Sequence, residues 1–198
     1  MKLKNLADIL SGYISRGKIV PREDGTSLLL QARDVDAYHL SYSTDTLVRF
    51  LSTISAKDRY LKSGDILFMA RGARNFSVLI NKLPNRVLPA ACFFVVRISS
   101  SEILPEYLWW YLNQLPVKEY LKRFSGRSVH MPVVKRAVLE SVEIPFPPMK
   151  TQEQVSEMYN LLKKEQDLYK KLAEKRKNLM TEICFKAIRK SKQASKAK

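Results

Sequence analysis

From Thr151 to Lys198 the chain contains neither proline nor glycine, while all nine prolines and all six glycines come earlier. Both residues break helices, so their absence over this length favours one long continuous helix. Apolar side chains recur there at spacings of three and four: Val155, Met158, Leu162, Tyr169, Leu172, Leu179 and Ile183, with Glu165 and Arg176 interrupting the row. This is a heptad stripe, widened at one side by Leu161 and Leu168. Thr151 and Gln154 have the form of a capping box, and the helix is expected to run to about Arg189, a length of ~55–60 Å at 1.5 Å per residue. A lone helix cannot bury such a stripe on itself; a second helix must cover it, most simply that of another copy of the chain. Glu165 and Arg176 then admit two readings. Either they meet across an antiparallel pair, or both reach out to solvent; a parallel in-register pair would stack like charges.

Thirty-five Lys+Arg against 19 Asp+Glu leave a formal charge of +16, divided about evenly between residues 1–150 and 151–198. An excess of this size points to a polyanionic partner, with plain solubility as the alternative. A hydrophobic content of 45% is enough for a packed core and excludes a disordered basic chain. Residues 190–198 read as a basic, disordered tail that either touches phosphate without specificity or is simply solvated. Cys92, Cys184, His39 and His130 are too few and too scattered for a disulfide framework or a zinc site. No run of about 18 apolar residues is present to span a membrane. Met1-Lys-Leu-Lys-Asn-Leu has no apolar signal core, so a cytoplasmic protein with reduced thiols is expected.

Residues 1–150 hold most of the aromatics and read as a compact α+β domain. Ser27–Gln31, Thr46–Leu51, Asp65–Ala70, Phe76–Ile80 and Cys92–Ile98 are apolar runs between turn-formers, and predict short strands. Gly64-Asp65 predicts a turn that launches the third of them. Pro105–Leu115 and Val117–Phe124 predict two local helices separated by Pro116, with Leu108, Leu112 and Leu115 on one face. Trp109, Trp110 and Tyr111 read as packing residues.

No catalytic pattern emerges. The chain lacks a phosphate-binding Gly-rich loop, a His-Glu-x-x-His motif and a Gly-x-Ser-x-Gly elbow, and nothing suggests a cofactor. Asp34 and Asp36 are the only close acidic pair in a strand-like setting, and no Glu-x-Lys follows to complete a nuclease-type metal site. Binding features are better developed. Arg16-Gly17-Lys18 sits in a turn after a first helix-like segment, Arg71-Gly72-Ala73-Arg74-Asn75 joins two strands, and Arg123 to His130 forms a basic loop after a helix. Arg reads guanine bidentately, Asn reads adenine, and Ser or His can hold phosphates or base edges. The candidate DNA contacts are therefore Arg16, Lys18, Arg71, Arg74, Asn75, Ser125, Arg127, Ser128 and His130, with Gln31 and Arg33 secondary and partly structural.

Five motifs in order resemble the specificity (S) subunit of type I restriction–modification systems. They are Leu6-Ala-Asp-Ile-Leu-Ser-Gly12, Leu61-Lys-Ser-Gly64-Asp65-Ile-Leu-Phe, Leu104-Pro-Glu-Tyr-Leu108, the loop around Gly126, and Val142-Glu-Ile-Pro145-Phe-Pro147-Pro148-Met-Lys-Thr-Gln152. The last resembles the family's Ile-Pro-x-Pro-Pro before a Gln at a helix start; Thr151 replaces the usual acidic residue and leaves helix initiation intact. In that family a full subunit has two recognition domains separated by two antiparallel helices. The resemblance thus implies a half-subunit: a DNA target-recognition domain in residues 1–150, and a spacer and dimerisation helix in 151–189. It implies homodimerisation through an antiparallel coiled coil, and recognition of one half of a bipartite site on double-stranded DNA. Partners would be the methyltransferase (modification) subunits and a restriction subunit; the S subunit itself performs no chemistry and directs an adenine methyltransferase. The competing reading is a protein-interaction adaptor that works through its coiled coil.

Overall fold

The computed structural model describes residues 1–15, 17–52, 59–124 and 133–196. They form two units, Met1–Glu153 and Gln154–Lys198. The first is the expected α+β domain. A four-stranded sheet has the order β1 (Ala7–Ser11), β9 (Phe93–Ile98), β6 (Ile66–Met69), β7 (Ser77–Leu79), all neighbours antiparallel. A three-stranded sheet places β2 (Ser27–Leu30) between β5 (Val48–Phe50), antiparallel, and β8 (Val87–Pro89), parallel. β3 (Val35–Asp36) and β4 (Ser41–Tyr42) make a small hairpin.

All five predicted strands are present, trimmed at their ends. The segment read as helix-like at the start is instead β1. Ala7 and Ile9 are buried while Asp8 between them is exposed, a period of two that pairing with β9 enforces. β8 escaped notice because it ends in proline. Pro89 is admissible there because β8 is an edge strand, where a missing N–H leaves no ladder bond unmade.

Alternation also sorts the core. Leu67, Met69, Val78, Phe93 and Val95 cluster with Leu30 and Val87 of the second sheet. The intervening Ile66, Phe68, Leu79 and Val96 are buried as well, so the sheet is covered on both faces. Burial of each such side chain contributes about 1.5–3 kcal/mol.

Helix α1 (Pro105–Leu112) packs on β7 and replaces the strand this edge lacks. Buried Asn113 accepts from Ser77 N (2.9 Å) and donates to Ser77 O (3.1 Å), and Trp109 Nε1 donates to Ser77 O (3.0 Å). The Asn113 amide and the Trp109 indole thus do for the edge strand what a neighbouring backbone would. Helix α2 (Leu115–Phe124) takes Pro116 into its first turn, where a missing N–H does no harm, so α1 ends earlier than expected. Leu108 and Leu112 are buried, but Leu115 is exposed and leaves their face. α3 (Arg136–Glu140) is a short turn of helix that the sequence reading did not anticipate.

Two of the recurring motifs have structural work. Asp65, after Gly64 at φ 88°, is nearly inaccessible and receives two bonds from Arg97, Nε to Oδ1 at 2.8 Å and a terminal nitrogen to Oδ2 at 2.7 Å. Lys62 N also donates to it at 2.8 Å, and the same guanidinium donates to Tyr60 O. Gln152 is fully buried; its amide nitrogen donates to Glu102 O and Pro147 O, and its oxygen accepts from Leu104 N, each at 3.0 Å. That clamp fixes the entry to α1 against the Pro147-Pro148 turn.

α4 runs from Met149 to Lys196. It starts two residues before the expected cap, because Pro148 can open a helix whose next carbonyl bonds begin at once: Thr151 N and Gln152 N both donate to Pro148 O. It also continues past Arg189 through most of the expected disordered tail. Lys, Ala and Gln are good helix formers and nothing in the run stops them. Met158, Leu162, Tyr169, Leu172, Leu179 and Ile183 are all exposed, between 46% and 71% of their surface, with Leu161 and Leu168 beside them. No helix among the described residues is long and apolar enough to cross a membrane.

Candidate nucleic-acid interface

The register of the four-stranded sheet decides which loops meet. Ser11, the last residue of β1, pairs with Phe94, and Met69, the last of β6, pairs with Phe93. β7 begins at Ser77 opposite Phe68. The chain after β1 and the β6–β7 loop therefore leave the same end of the sheet, beside the start of β9.

The segment before β9 ties them. Gly12 N donates to Phe93 O, Tyr13 N to Pro89 O, and Ala70 N and Arg71 N both to Cys92 O. Gly12 is obligatory here, since a Cβ would lie 2.1 Å from Ala90 O. Arg71 further bridges to Val133, and Val134 N donates to Ala70 O, so the chain returning after α2 reaches this end too. Cys92 is half-buried against this junction, and burial pushes its thiol above the usual range, so it packs rather than ionises.

Of the sequence-predicted contacts, Lys18, Arg71 and Arg74 are exposed on these loops. Asn75 is placed with them, but its amide nitrogen donates to Met69 O at 2.9 Å. In this conformation it holds the loop instead of presenting its donor–acceptor pair. Arg16, Ser125, Arg127, Ser128 and His130 lie outside the described residues. Gln31 is structural, forming a reciprocal cap with Asp34. Arg33 is exposed beside Asp34 at 3.8 Å.

Asp34 and Asp36 do different jobs. Asp34 is buried and accepts from Thr46 Oγ1 (2.6 Å) and Gln31 N (2.7 Å), which anchors the root of the β3–β4 hairpin. Asp36 is exposed at the hairpin tip. Its carboxylate accepts from Tyr38 N (2.7 Å) and His39 N (3.1 Å) and pairs with His39 Nδ1. These bonds, led by the one from the His39 ring, hold its pKa at about 2. The pair therefore stabilises the tip fully above the ordinary carboxylate range and loses that contribution as pH falls toward 2. A carbon-13 titration should find the Asp36 carboxyl midpoint near 2 and see it rise toward about 3.9 in His39→Ala. A midpoint unmoved by that substitution would show that the ring does not hold the carboxylate.

The tip also closes a cleft that the sequence reading missed. Ala37 and Leu40 of the hairpin, Ala73, Arg74, Asn75 and Phe76 of the β6–β7 loop, and Lys118 and Lys122 of α2 surround about 390 Å³. Lys118 and Lys122 are four residues apart and so share a helix face, a spacing that was visible in the sequence. That they face Arg74 was not. A second hollow is lined by Lys18, Arg22 and Arg59 together with Tyr13 and Phe50, whose ring centroids are 5.2 Å apart.

Comparison with known proteins follows the same line. The family model described as the type I restriction modification DNA specificity domain matches residues 1–176. The type I restriction enzyme MjaIX specificity subunit of Methanocaldococcus jannaschii is 25% identical over 182 residues, covering 87% of this chain and 41% of that protein. Among solved structures, the HsdS subunit from Thermoanaerobacter tengcongensis has a similar fold, with a TM-score of 0.57 at 18% identity over 83% of this chain and 36% of that one. A chain from a structural study of type I R-M complex assembly and conformational transition gives 0.60 at 17% identity, over 83% and 37%. An S subunit from M. genitalium gives 0.52 at 12%, over 81% and 37%. The chain thus spans about two fifths of the relatives it matches. With the family model extending from the first strand well into the long helix, this chain belongs to the specificity-subunit family of type I restriction–modification systems.

Proposed function

We propose that the chain is one DNA-reading arm of a type I specificity subunit: non-catalytic, recognising half of a bipartite duplex site and directing an adenine methyltransferase to it. The observation that carries this reading is the gathering of the basic loops bearing Lys18, Arg71 and Arg74 at a single end of the sheet. Base edges would be read by Arg71, and by Arg16, Ser125, Arg127, Ser128 and His130. α4 sets the distance to the other half-site and carries the methyltransferase subunits.

The exposed stripe supports pairing with a second copy, and the charges on it choose a register. Set antiparallel with Glu165 opposite Arg176 of the second copy, Met158 falls opposite Ile183, Leu162 opposite Leu179, and Tyr169 opposite Leu172. Sliding one heptad either way puts both charges against apolar residues, which is costly. Two-fold protein symmetry then requires inverted half-sites.

The exposed stripe equally favours the adaptor reading, so the test must concern DNA. For the full chain, the logarithm of duplex affinity should fall with the logarithm of salt at about −0.9 per phosphate neutralised. Arg71→Ala and Arg74→Ala should each either reduce that slope by about one or cost about 1–3 kcal/mol on a preferred sequence alone. A slope near zero with no preference for any duplex would leave the adaptor reading standing.

A further inference from the structure

The β3–β4 hairpin is built in two halves with opposite fates. Val35, Ala37, Leu40 and Tyr42 pack against the central core, and Tyr42 Oη accepts from Asn81 N and Lys82 N while donating to Lys82 O. Leu40 adopts a φ of 47°, a left-handed conformation that leucine rarely takes and that only this packing sustains. The turn so fixed holds Tyr38 out into solvent at 85% exposure, edge-on to His39 with the rings 4.9 Å apart and 79° between planes.

An aromatic ring this exposed, on a turn tied by three bonds to Asp36, is pre-organised to touch something. Next to it lies the cleft whose charged lining is Arg74, Lys118 and Lys122, with no acid among the described residues around it. Asp36 is not among the residues lining the cleft, and its carboxylate is taken up by the His39 ring and the turn's own N–H groups.

We infer that this cleft seats the sugar–phosphate backbone of the bound duplex, through Arg74, Lys118 and Lys122, while Tyr38 at the hairpin tip enters the adjoining groove and contacts base edges. The inference rests on the DNA-reading proposal and adds to it two contact elements, the hairpin tip and α2, and three residues, Tyr38, Lys118 and Lys122. Phosphate is the fitting chemistry because three mobile or forked cations converge on one shallow space continuous with the β6–β7 loop. A phenol ring supplies a donor, an acceptor and an apolar face, which suits a groove floor better than bulk water.

The test uses the full chain and two probes: duplexes selected by the wild-type protein from a random-sequence library, and poly(dI-dC). Lys118→Ala with Lys122→Ala should weaken binding to both probes and lower the salt slope by about two phosphate contacts. Tyr38→Ala should weaken the selected duplex about tenfold and leave poly(dI-dC) unchanged, with Tyr38→Phe separating the ring from its hydroxyl. Lys62→Ala with Lys82→Ala, outside this cleft, is the control and should change neither. All these side chains are exposed or partly exposed, so unfolding midpoints should match the wild type. Selected duplexes that bind the cleft and tip variants as tightly and with the same slope would overturn this inference alone. A wild-type chain that enriches no duplex would overturn it together with the DNA-reading proposal.

Discussion

Lysine in place of both Leu162 and Leu172 is expected to convert a dimer of this chain into a monomer without unfolding the recognition unit. Each leucine is 46% exposed in the single chain and sits in the apolar row that a second copy would cover. Burying a leucine contributes about 1.5–3 kcal/mol, and two-fold symmetry counts each position twice. Since each starts about half exposed, the double substitution removes roughly 3–5 kcal/mol and adds the cost of desolvating ammonium groups, weakening the dimer by at least about 10²-fold. Sedimentation would show the change directly. Apparent affinity for DNA should drop in parallel, because tethering two arms on one duplex raises avidity by about 10²–10⁴ over one arm. The register has its own signature. Glu165→Arg and Arg176→Glu should each weaken association by placing like charges opposite one another, and the two together should restore it. An unchanged sedimentation profile for Leu162→Lys/Leu172→Lys would mean that a second copy does not cover this stripe.

Asp65→Ala should be the most damaging single substitution inside the recognition unit. The carboxylate side chain is 2% exposed and its partner guanidinium 18%, so the pair is shielded from water. Removing the acid strands Arg97 with a buried charge and takes the acceptor from Lys62 N, at a cost of about 3–5 kcal/mol. Asp65→Asn keeps the shape and one acceptor, and should fall between. The pairwise nature of the effect shows in Asp65→Leu with Arg97→Met, which should recover much of the loss because no unpaired charge remains. Urea unfolding of the four proteins reads this out, and a loss under about 1 kcal/mol for Asp65→Ala would show that the pair is not a keystone of the fold.

Much of this architecture was legible beforehand because it depends on local rules. Strands β2, β5, β6, β7 and β9 announce themselves as short apolar runs, and Gly64-Asp65 as a turn. β1 was not legible: five residues with a single interior acid show no clear period, and only pairing with β9 makes Asp8 outward and Ile9 inward. The roles of polar side chains were hidden for the same reason. Asn75 looked like a base reader and turned out to hold its own loop, while Gln152, prominent only as a motif residue, is a fully buried clamp. Hydrogen-bond partners tens of residues away leave no trace in a local pattern.

The candidate interface divides along the same line. Arg71, Arg74 and Lys18 could be named from basic loops with glycine beside them, since that chemistry is local. Tyr38, Lys118 and Lys122 drew no notice, and His39 none as a DNA contact, because their neighbours in sequence are unremarkable for DNA binding. The antiparallel register and the bonds around Ala90–Phe93 bring the loops of Lys18, Arg71 and Arg74 to one end of one sheet, and packing sets Lys118 and Lys122 in one cleft with Arg74.

By itself the sequence determined the long helix and its unmet apolar stripe. A stretch without proline or glycine and with a three-four period has few other stable conformations, and the period is a property of consecutive residues. What the tertiary structure alone decided is which basic and aromatic side chains share a surface. That depends on strand pairing between residues as far apart as Ile9 and Val96, a choice made by burial across the whole domain and not by any stretch within it.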